Sequence, residues 1–133
     1  MPSAPFLIQE SQCPEEAWDD PIRGVVRWRT LLSGDRTPTE ALTVGVAELL
    51  EAGGAKLAPH RHAHPEVYYV LSGQGVLHID GVDHALAPGV AAFIPGGALH
   101  GARAVGAATL RILYVFAADS FDQIKYEFPA PEG

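Results

Sequence analysis

The sequence predicts an all-β protein, a β-sandwich or barrel, and two observations carry this prediction. Short apolar runs recur along the chain, and turn residues separate them: the 133 residues include 14 Gly and 11 Pro. The separators include Ser72-Gly73 and Asp80-Gly81, and Asp-Gly between alternating runs is a strong hairpin signal. About eight short strands at close spacing are typical of a sandwich or barrel.

The first predicted strands lie in the N-terminal third of the chain. Residues 22–32 are rich in β-branched and aromatic side chains, and Arg27 and Arg29 fall on one face of that strand. Residues 43–50 form a second candidate that Gly53-Gly54 ends, although residues 41–42 and 48–51 would also suit a helix. Further strands are predicted at residues 66–71, 76–79, 85–86, 90–94, 99–105 and 109–117.

This pattern defines one domain with two flanking segments. Residues 1–21 are acidic and rich in proline, and we interpret them as an N-terminal arm or loop. Residues 22–118 hold the strands of the barrel. Residues 119–133 form a tail that contains three aromatic residues, Phe121, Tyr126 and Phe128.

The last predicted strand has an unusual pattern. Residues 109–118 are apolar on both faces apart from Arg111, so this run is either buried between layers or part of a subunit interface. Since the run needs cover on both faces, we expect a homodimer.

Composition and charge exclude several classes of protein. The formal net charge is −7, so a nucleic-acid partner is not expected. The longest apolar run, residues 112–118, is far short of the roughly 20 residues that span a membrane. The single cysteine, Cys13, excludes an intrachain disulfide, and the first residues lack a signal-peptide pattern. We therefore expect a cytoplasmic protein without a membrane partner.

Histidines concentrate in the middle of the chain. Side chains at positions i and i+2 of a strand project to one face, so His60 and His62 point the same way. Glu66 follows a turn-prone His-Pro pair, and His100 follows a Pro-Gly-Gly turn. Three imidazoles and one carboxylate form a mixed site for a divalent transition metal, with positions left open for water or substrate.

The spacing of these residues resembles the two motifs of the cupin superfamily. Gly54-x5-His60-x-His62-x3-Glu66-x6-Gly73 matches the first motif at every position, and Gly89-x5-Pro95-x-Gly97-x2-His100 matches the second. The final Asn of the second motif is replaced here by Ala104. The resemblance covers residues 40–118 and implies a single-domain cupin, which is a double-stranded β-helix or jelly-roll barrel. It also implies that His60, His62, Glu66 and His100 hold one divalent transition metal per chain, with iron, manganese, zinc or nickel as candidates.

The strand that begins at Glu66 places further side chains near this site. Because Glu66 faces inward, the two-residue period of a strand turns Tyr68 and Val70 inward and Val67 and Tyr69 to the opposite layer. Tyr68 is therefore expected beside the metal, as a pocket-lining aromatic or as a catalytic group. A nearby cation lowers the pKa of a tyrosine, which makes Tyr68 a candidate base.

A second, narrower resemblance is to the short single-domain cupins that cleave dimethylsulfoniopropionate. Those proteins share a tyrosine two residues after the ligand Glu, here Tyr68, and a C-terminal Phe…Tyr segment that reaches the pocket, here Phe121 and Tyr126. The stretch Gly24-Val-Val-Arg-Trp28 is similar too. In those lyases the metal holds the substrate carboxylate and the tyrosine removes the α-proton. The resemblance therefore implies catalytic roles for Tyr68 and Tyr126, with the tail packed near the barrel mouth.

Three functions are compatible with such a site. The favoured one is a metal-dependent lyase that performs β-elimination on a small carboxylate. The first alternative is an oxidoreductase, a mononuclear iron oxygenase or dioxygenase, although Glu66 argues mildly against the thiol dioxygenases, which use three histidines. The second alternative is a non-enzymatic cupin that binds a sugar or another metabolite. Fold alone does not decide between them.

Overall fold

Ten β-strands and two short 3-10 helices account for the regular structure of the described residues, 2–50 and 55–129 of a computed structural model. The strands are β1 (Glu15–Asp20), β2 (Gly24–Leu32), β3 (Thr43–Leu49), β4 (Lys56–His60), β5 (Glu66–Ser72), β6 (Gln74–Ile79), β7 (Val82–Leu86), β8 (Ala91–Ile94), β9 (His100–Val105) and β10 (Leu110–Phe116). One curled antiparallel sheet contains them in the order β7-β6-β9-β4-β2-β3-β10-β5-β8, with β1 paired to β2. The all-β prediction is confirmed.

Most strands lie where the sequence predicts them, with ends displaced by at most three residues. Thr43–Leu49 is a strand, which decides against the helical alternative for that stretch. The Gly53-Gly54 pair that was expected to end it lies outside the described residues, as does Gly54 of the first motif. Neither of the 3-10 helices, nor any other helix of the described chain, is long and apolar enough to cross a membrane.

The predicted Asp-Gly hairpin joins β6 to β7. Asp80 and Gly81 have φ angles of 48° and 83°. Two-residue hairpin loops of the I′ type need positive φ at both central positions, which Asp tolerates and Gly favours. This turn sets the register that pairs His78 with Asp83 across the hairpin.

The N-terminal region differs from its prediction. An arm or loop over residues 1–21 is wrong for Glu15–Asp20, which form β1 and pair with β2 along their whole length. The side chains of β1 alternate between exposed and half-buried, and Trp18 lies on the half-buried side. Four carboxylates among the six residues hide this alternation in the sequence, because acidic residues are depleted in strands.

The inner face of the sheet forms the core, and β10 shows how. Ile112 and Phe116 are buried on the inner face, whereas Leu113 and Val115 are half-buried on the outer face. The two apolar faces of this strand thus have different cover: the inner face packs into the core, and the outer face is partly open. The largest fully buried apolar side chains are Phe116, Leu49, Leu77, Ile94, Leu110 and Val70.

Candidate metal centre

Three histidines meet at one end of the core. His60 ends β4, His100 begins β9, and the two residues are register partners in the sheet. His62 lies two residues beyond the end of β4, so it reaches the same site from a loop rather than from the predicted strand. All three side chains are buried, with at most 3% of each residue exposed, and one nitrogen from each lies within 4.8 Å of the others. This group can hold a metal ion.

The backbone orients each imidazole for metal binding. The Nδ1 atoms of His60, His62 and His100 lie 2.8, 2.9 and 2.9 Å from the carbonyl oxygens of Ala58, His64 and Ala98. Because a carbonyl only accepts hydrogen bonds, each Nδ1 carries the proton, and the lone pair is left on Nε2. Backbone acceptors that fix the tautomer in this way are typical of metal-binding histidines.

The donor atoms of the site lack other partners. The Nε2 atoms of His62 and His100 and Oε1 of Glu66 are buried without a hydrogen bond. Glu66 begins β5, is 4% exposed, and places Oε1 at 3.3 Å from Nε2 of His62 and 3.4 Å from Nε2 of His100. Buried polar atoms without partners are costly, and a buried carboxylate needs a cation beside it. A divalent transition metal fits this set of nitrogen and oxygen donors.

The protonation of the histidines follows from their surroundings. Burial, together with the neighbouring His100, lowers the pKa of His60 to about 4, so this ring is neutral at neutral pH. Burial also acts to lower the pKa of His62, but the adjacent carboxylate of Glu66 outweighs it and raises that pKa. Of the two rings, His62 is therefore the one at which a proton competes more strongly with a metal ion.

Tyr68 lies on the inner face of β5, as its two-residue period predicts. Tyr68 and Val70 are buried, whereas Val67 and Tyr69 are 37% and 44% exposed. The ring of Tyr68 lies 6.5 Å from the ring of His100, centroid to centroid. Burial, followed by the negative charge of Glu66, raises the pKa of Tyr68 well above its usual value. From the sequence, a nearby cation is expected to lower this pKa, whereas burial and Glu66 raise it.

Tyr126 lies over the histidines. Its ring centroid is 5.4 Å from that of His60 and 5.5 Å from that of His62, and burial raises its pKa. The C-terminal segment is held in place by Glu127, which exchanges two backbone hydrogen bonds of 2.9 Å with Arg61. This isolated bridge connects the tail to the loop between His60 and His62.

Sequence reasoning missed two aromatic residues near the site. Trp18 of β1 contacts Tyr126, with centroids 5.0 Å apart, and Phe128 lies 5.3 Å from His60. No pattern in the sequence indicated Trp18, because its acidic neighbours hide the alternation of β1. For Phe128 the position depends on the tail folding back, which no local pattern predicts. Seven Trp, Tyr and Phe rings line the cavity beside the histidines, and we call four of them the aromatic cluster: Trp18, Trp28, Phe121 and Tyr126.

The cavity at this site is small. It has a volume of about 50 Å³, and its lining includes His60, Glu66, Tyr68 and the aromatic cluster. Ligand pockets typically measure roughly 300 to 1,000 Å³. A cavity of this size holds a few water molecules, so a substrate can enter only if the covering segment moves.

Of the three remaining histidines, two lie outside the metal-binding group and the third contacts it through its backbone. His78 is partly exposed and hydrogen-bonds Asp83, and His84 is exposed on β7. His64 contributes its carbonyl oxygen to His62, so its backbone takes part in orienting that ring.

Comparison with known proteins agrees with this geometry. The family model of the cupin domain matches residues 47–116. A dimethylsulfoniopropionate lyase, DddW, of Ruegeria pomeroyi is 43% identical over 130 residues, which cover 98% of this chain and 84% of that protein.

Solved structures share the fold over most of the chain. The polyketide cyclase RemF from Streptomyces resistomycificus has a TM-score of 0.78 and 21% identity, with 97% of this chain and 88% of that chain covered. A predicted oxalate decarboxylase from Thermotoga maritima has a TM-score of 0.74 and 26% identity, with 85% and 99% covered. A cupin 2 conserved barrel domain protein from Rhodopseudomonas palustris has a TM-score of 0.75 and 20% identity, with 96% and 87% covered. The family match spans more than half of the chain and encloses all three histidines: the chain belongs to the cupin family.

Proposed function

We propose that this cupin is a metal-dependent lyase that performs β-elimination on a small carboxylate, with dimethylsulfoniopropionate as the favoured substrate. The observation that carries the proposal is the 43% identity, over 98% of the chain, to a lyase of that substrate. The buried histidine group and the inward tyrosine beside it support the proposal. Release of acrylate from dimethylsulfoniopropionate by the metal-loaded protein tests it.

We assign the metal to His60, His62, Glu66 and His100. Their Nε2 and Oε1 atoms are the donors that the surrounding backbone leaves without partners. When bound, a divalent transition metal such as iron, manganese, zinc or nickel supplies a Lewis acid that fixes and polarises the substrate carboxylate.

In this proposal Tyr68 is the base. As a phenolate, its oxygen takes the proton from the carbon next to the carboxylate and becomes a neutral hydroxyl. The electron pair of that C–H bond forms the new double bond, while the bond between the β-carbon and the leaving group breaks. Dimethylsulfoniopropionate then yields acrylate and dimethyl sulfide. Because burial raises the pKa of Tyr68, positive charge bound in the cavity has to offset that effect before the phenolate forms.

Tyr126 has a second role in the proposal. Its ring covers His60 and His62, so it excludes water from the reacting atoms once the substrate is in place. Two phenols besides Tyr68 line the cavity, those of Tyr114 and Tyr126, and in this proposal the hydroxyl of Tyr126 shares the proton with Tyr68.

The metal content is predicted to depend on pH. Freshly purified, untagged protein is expected to hold about one divalent ion per chain and to lose it on chelation. Protons compete with the metal for imidazole nitrogen, so retention falls as the pH drops through about 6.5. His62, whose pKa is raised, takes a proton at a higher pH than His60, whose pKa is about 4. Elemental analysis after equilibration at each pH measures this, and a flat profile or a failure to take up metal would contradict the ligand assignment.

We also propose that the chain forms a homodimer in the cytoplasm, through the outer face of β5, β8 and β10. Val67, Tyr69 and Phe93 are 37%, 44% and 65% exposed there, and the half-buried Leu113 and Val115 lie opposite Tyr69 and Val67. Contiguous exposed apolar residues on adjacent strands are typical of an interaction surface.

The dimer is predicted to depend on that face. Light scattering at micromolar concentration is expected to give twice the chain mass of 14.1 kDa. The double substitution Tyr69→Asp and Phe93→Asp is expected to give a monomer, because it places charge in the interface. The matched control is Val82→Asp, which changes an exposed apolar residue of β7 that lies on another part of the sheet. A monomeric wild-type protein would overturn the proposal.

A further inference from the structure

We propose that the aromatic cluster of Trp18, Trp28, Phe121 and Tyr126 binds a positively charged onium group, so that the site selects zwitterions with a carboxylate at one end and a sulfonium or quaternary ammonium group at the other. This inference rests on the proposed function, since it concerns the second end of the same substrate. It assigns a role in specificity to the N-terminal strand β1, which contributes Trp18.

The rings of the cluster form walls around one end of the cavity. Trp18 meets Trp28 at 69° with centroids 5.2 Å apart, and it meets Tyr126 at 89° with centroids 5.0 Å apart. Phe121 stacks on Trp28 at 25° and 6.0 Å. These edge-to-face contacts fix the positions of the rings that line the cavity, and the negative face of each ring attracts a cation.

The charge distribution of the cavity separates its two ends. Among the described residues that line it, Glu66 is the one acidic side chain, and its Oε1 faces the histidines at 3.3 and 3.4 Å. The carboxylate of Glu16 lies close to Trp28 but does not line the cavity, so the ring faces are the groups lining this end that attract positive charge. Aliphatic side chains would bury an uncharged alkyl group equally well, whereas tryptophan is the strongest aromatic partner for a cation.

Trp18 already has a cation over its ring. The guanidinium carbon of Arg23 lies 5.0 Å from the ring centroid, and Nε of Arg23 donates to Oδ2 of Asp20 at 2.7 Å. This partly exposed pair holds the indole from the solvent side. The ring is thereby fixed in orientation, which lowers the entropy cost of using its other side for a ligand.

The two ends of the cavity are close together. The centroid of Tyr126 is 5.0 Å from Trp18 and 5.5 Å from His62, so one residue connects the aromatic cluster to the histidines. A short linker between carboxylate and cation spans this distance. The inference therefore favours zwitterions with one or two carbons between the charged groups.

Two ligands of the same shape test the inference by binding rather than by turnover. Glycine betaine and 3,3-dimethylbutanoate differ in the replacement of N⁺ by carbon, and neither carries a leaving group on the β-carbon. Titration calorimetry with the metal-loaded protein is expected to show the cation binding at least about 10-fold more tightly, the scale of a desolvated cation–π contact. Equal affinities, or no binding of either ligand, would overturn the inference.

Variants of Trp18 locate the effect. Trp18→Leu is expected to remove the preference for the cation while the affinity for 3,3-dimethylbutanoate changes by less than about 3-fold. Trp18→Phe retains a ring and is expected to keep part of the preference. This second variant keeps the role of Trp18 testable if Trp18→Leu does not fold. A preference that survives in Trp18→Leu would overturn the role of this residue. Acrylate release is measured separately. If the protein releases acrylate without preferring the cation, the lyase proposal stands and this inference is overturned. If it prefers the cation but releases no acrylate, the lyase proposal is overturned and this inference stands.

Discussion

Replacing Tyr68 by Phe is expected to lower the rate of acrylate release by roughly 10²-fold or more, the usual effect of losing a general base. The substitution removes one hydroxyl and keeps the ring on the inner face of β5, where Tyr68 is 5% exposed. Metal content is expected to stay unchanged, because the nitrogen donors belong to His60, His62 and His100. Single-turnover and steady-state kinetics with elemental analysis measure both effects.

The neighbouring residue provides a matched control for this prediction. Tyr69→Phe removes the same hydroxyl from the outer face of β5, where Tyr69 is 44% exposed, and is expected to leave turnover unchanged. A fully active Tyr68→Phe protein, or one that loses its metal along with its activity, would show that Tyr68 is not the base.

Locking the C-terminal segment is expected to stop turnover almost completely. Arg61 and Glu127 exchange two backbone hydrogen bonds, and the Cα atoms of such a pair lie about 5.5 Å apart, within the range that a disulfide spans. Oxidation of the double variant Arg61→Cys and Glu127→Cys ties Tyr126 over the histidines. Because the cavity measures about 50 Å³ with the segment in this position, substrate cannot enter, and the rate is expected to fall at least about 10-fold and recover on reduction.

The controls for the lock separate closure from oxidation. Cys13, the native cysteine, is replaced by Ser in all variants so that it cannot exchange with the new disulfide. His78→Cys with Asp83→Cys places a disulfide between register partners on β6 and β7, away from the site, and is expected to leave turnover unchanged. Exchange of the bound metal, followed independently of activity, is expected to slow in the locked protein. Full turnover by the oxidised Arg61–Glu127 variant would contradict a covering role for the tail.

The histidine group could be predicted because it depends on short-range spacing. His60 and His62 are two residues apart, and the turn after Pro95 delivers His100 to the start of β9. The direction of Tyr68 follows from Glu66 by the period of a strand, which depends on backbone geometry alone. These spacings are local, whereas the pairing of β4 with β9 that brings His100 to His60 is not, and it was the resemblance to the two cupin motifs that implied it.

The features that could not be predicted depend on distant segments and on burial. Trp18 reaches the cavity because β1 pairs with β2, and its acidic neighbours concealed that strand. The position of Tyr126 depends on the bridge between Glu127 and Arg61, two residues far apart in the chain. The pKa of Tyr68 is raised rather than lowered because burial and Glu66 act on it in the folded chain, and neither effect is visible in spacing.

The most direct test of the account is to incubate the metal-loaded protein with dimethylsulfoniopropionate in the presence and in the absence of oxygen. β-Elimination consumes no oxidant, so acrylate and dimethyl sulfide are predicted to appear in equal amounts at the same rate under both conditions, without oxygen uptake. Chelation of the metal is predicted to stop the release of both products. Absence of acrylate, or products that form only when oxygen is consumed, would contradict the proposed elimination and favour an oxygenase at the same histidines.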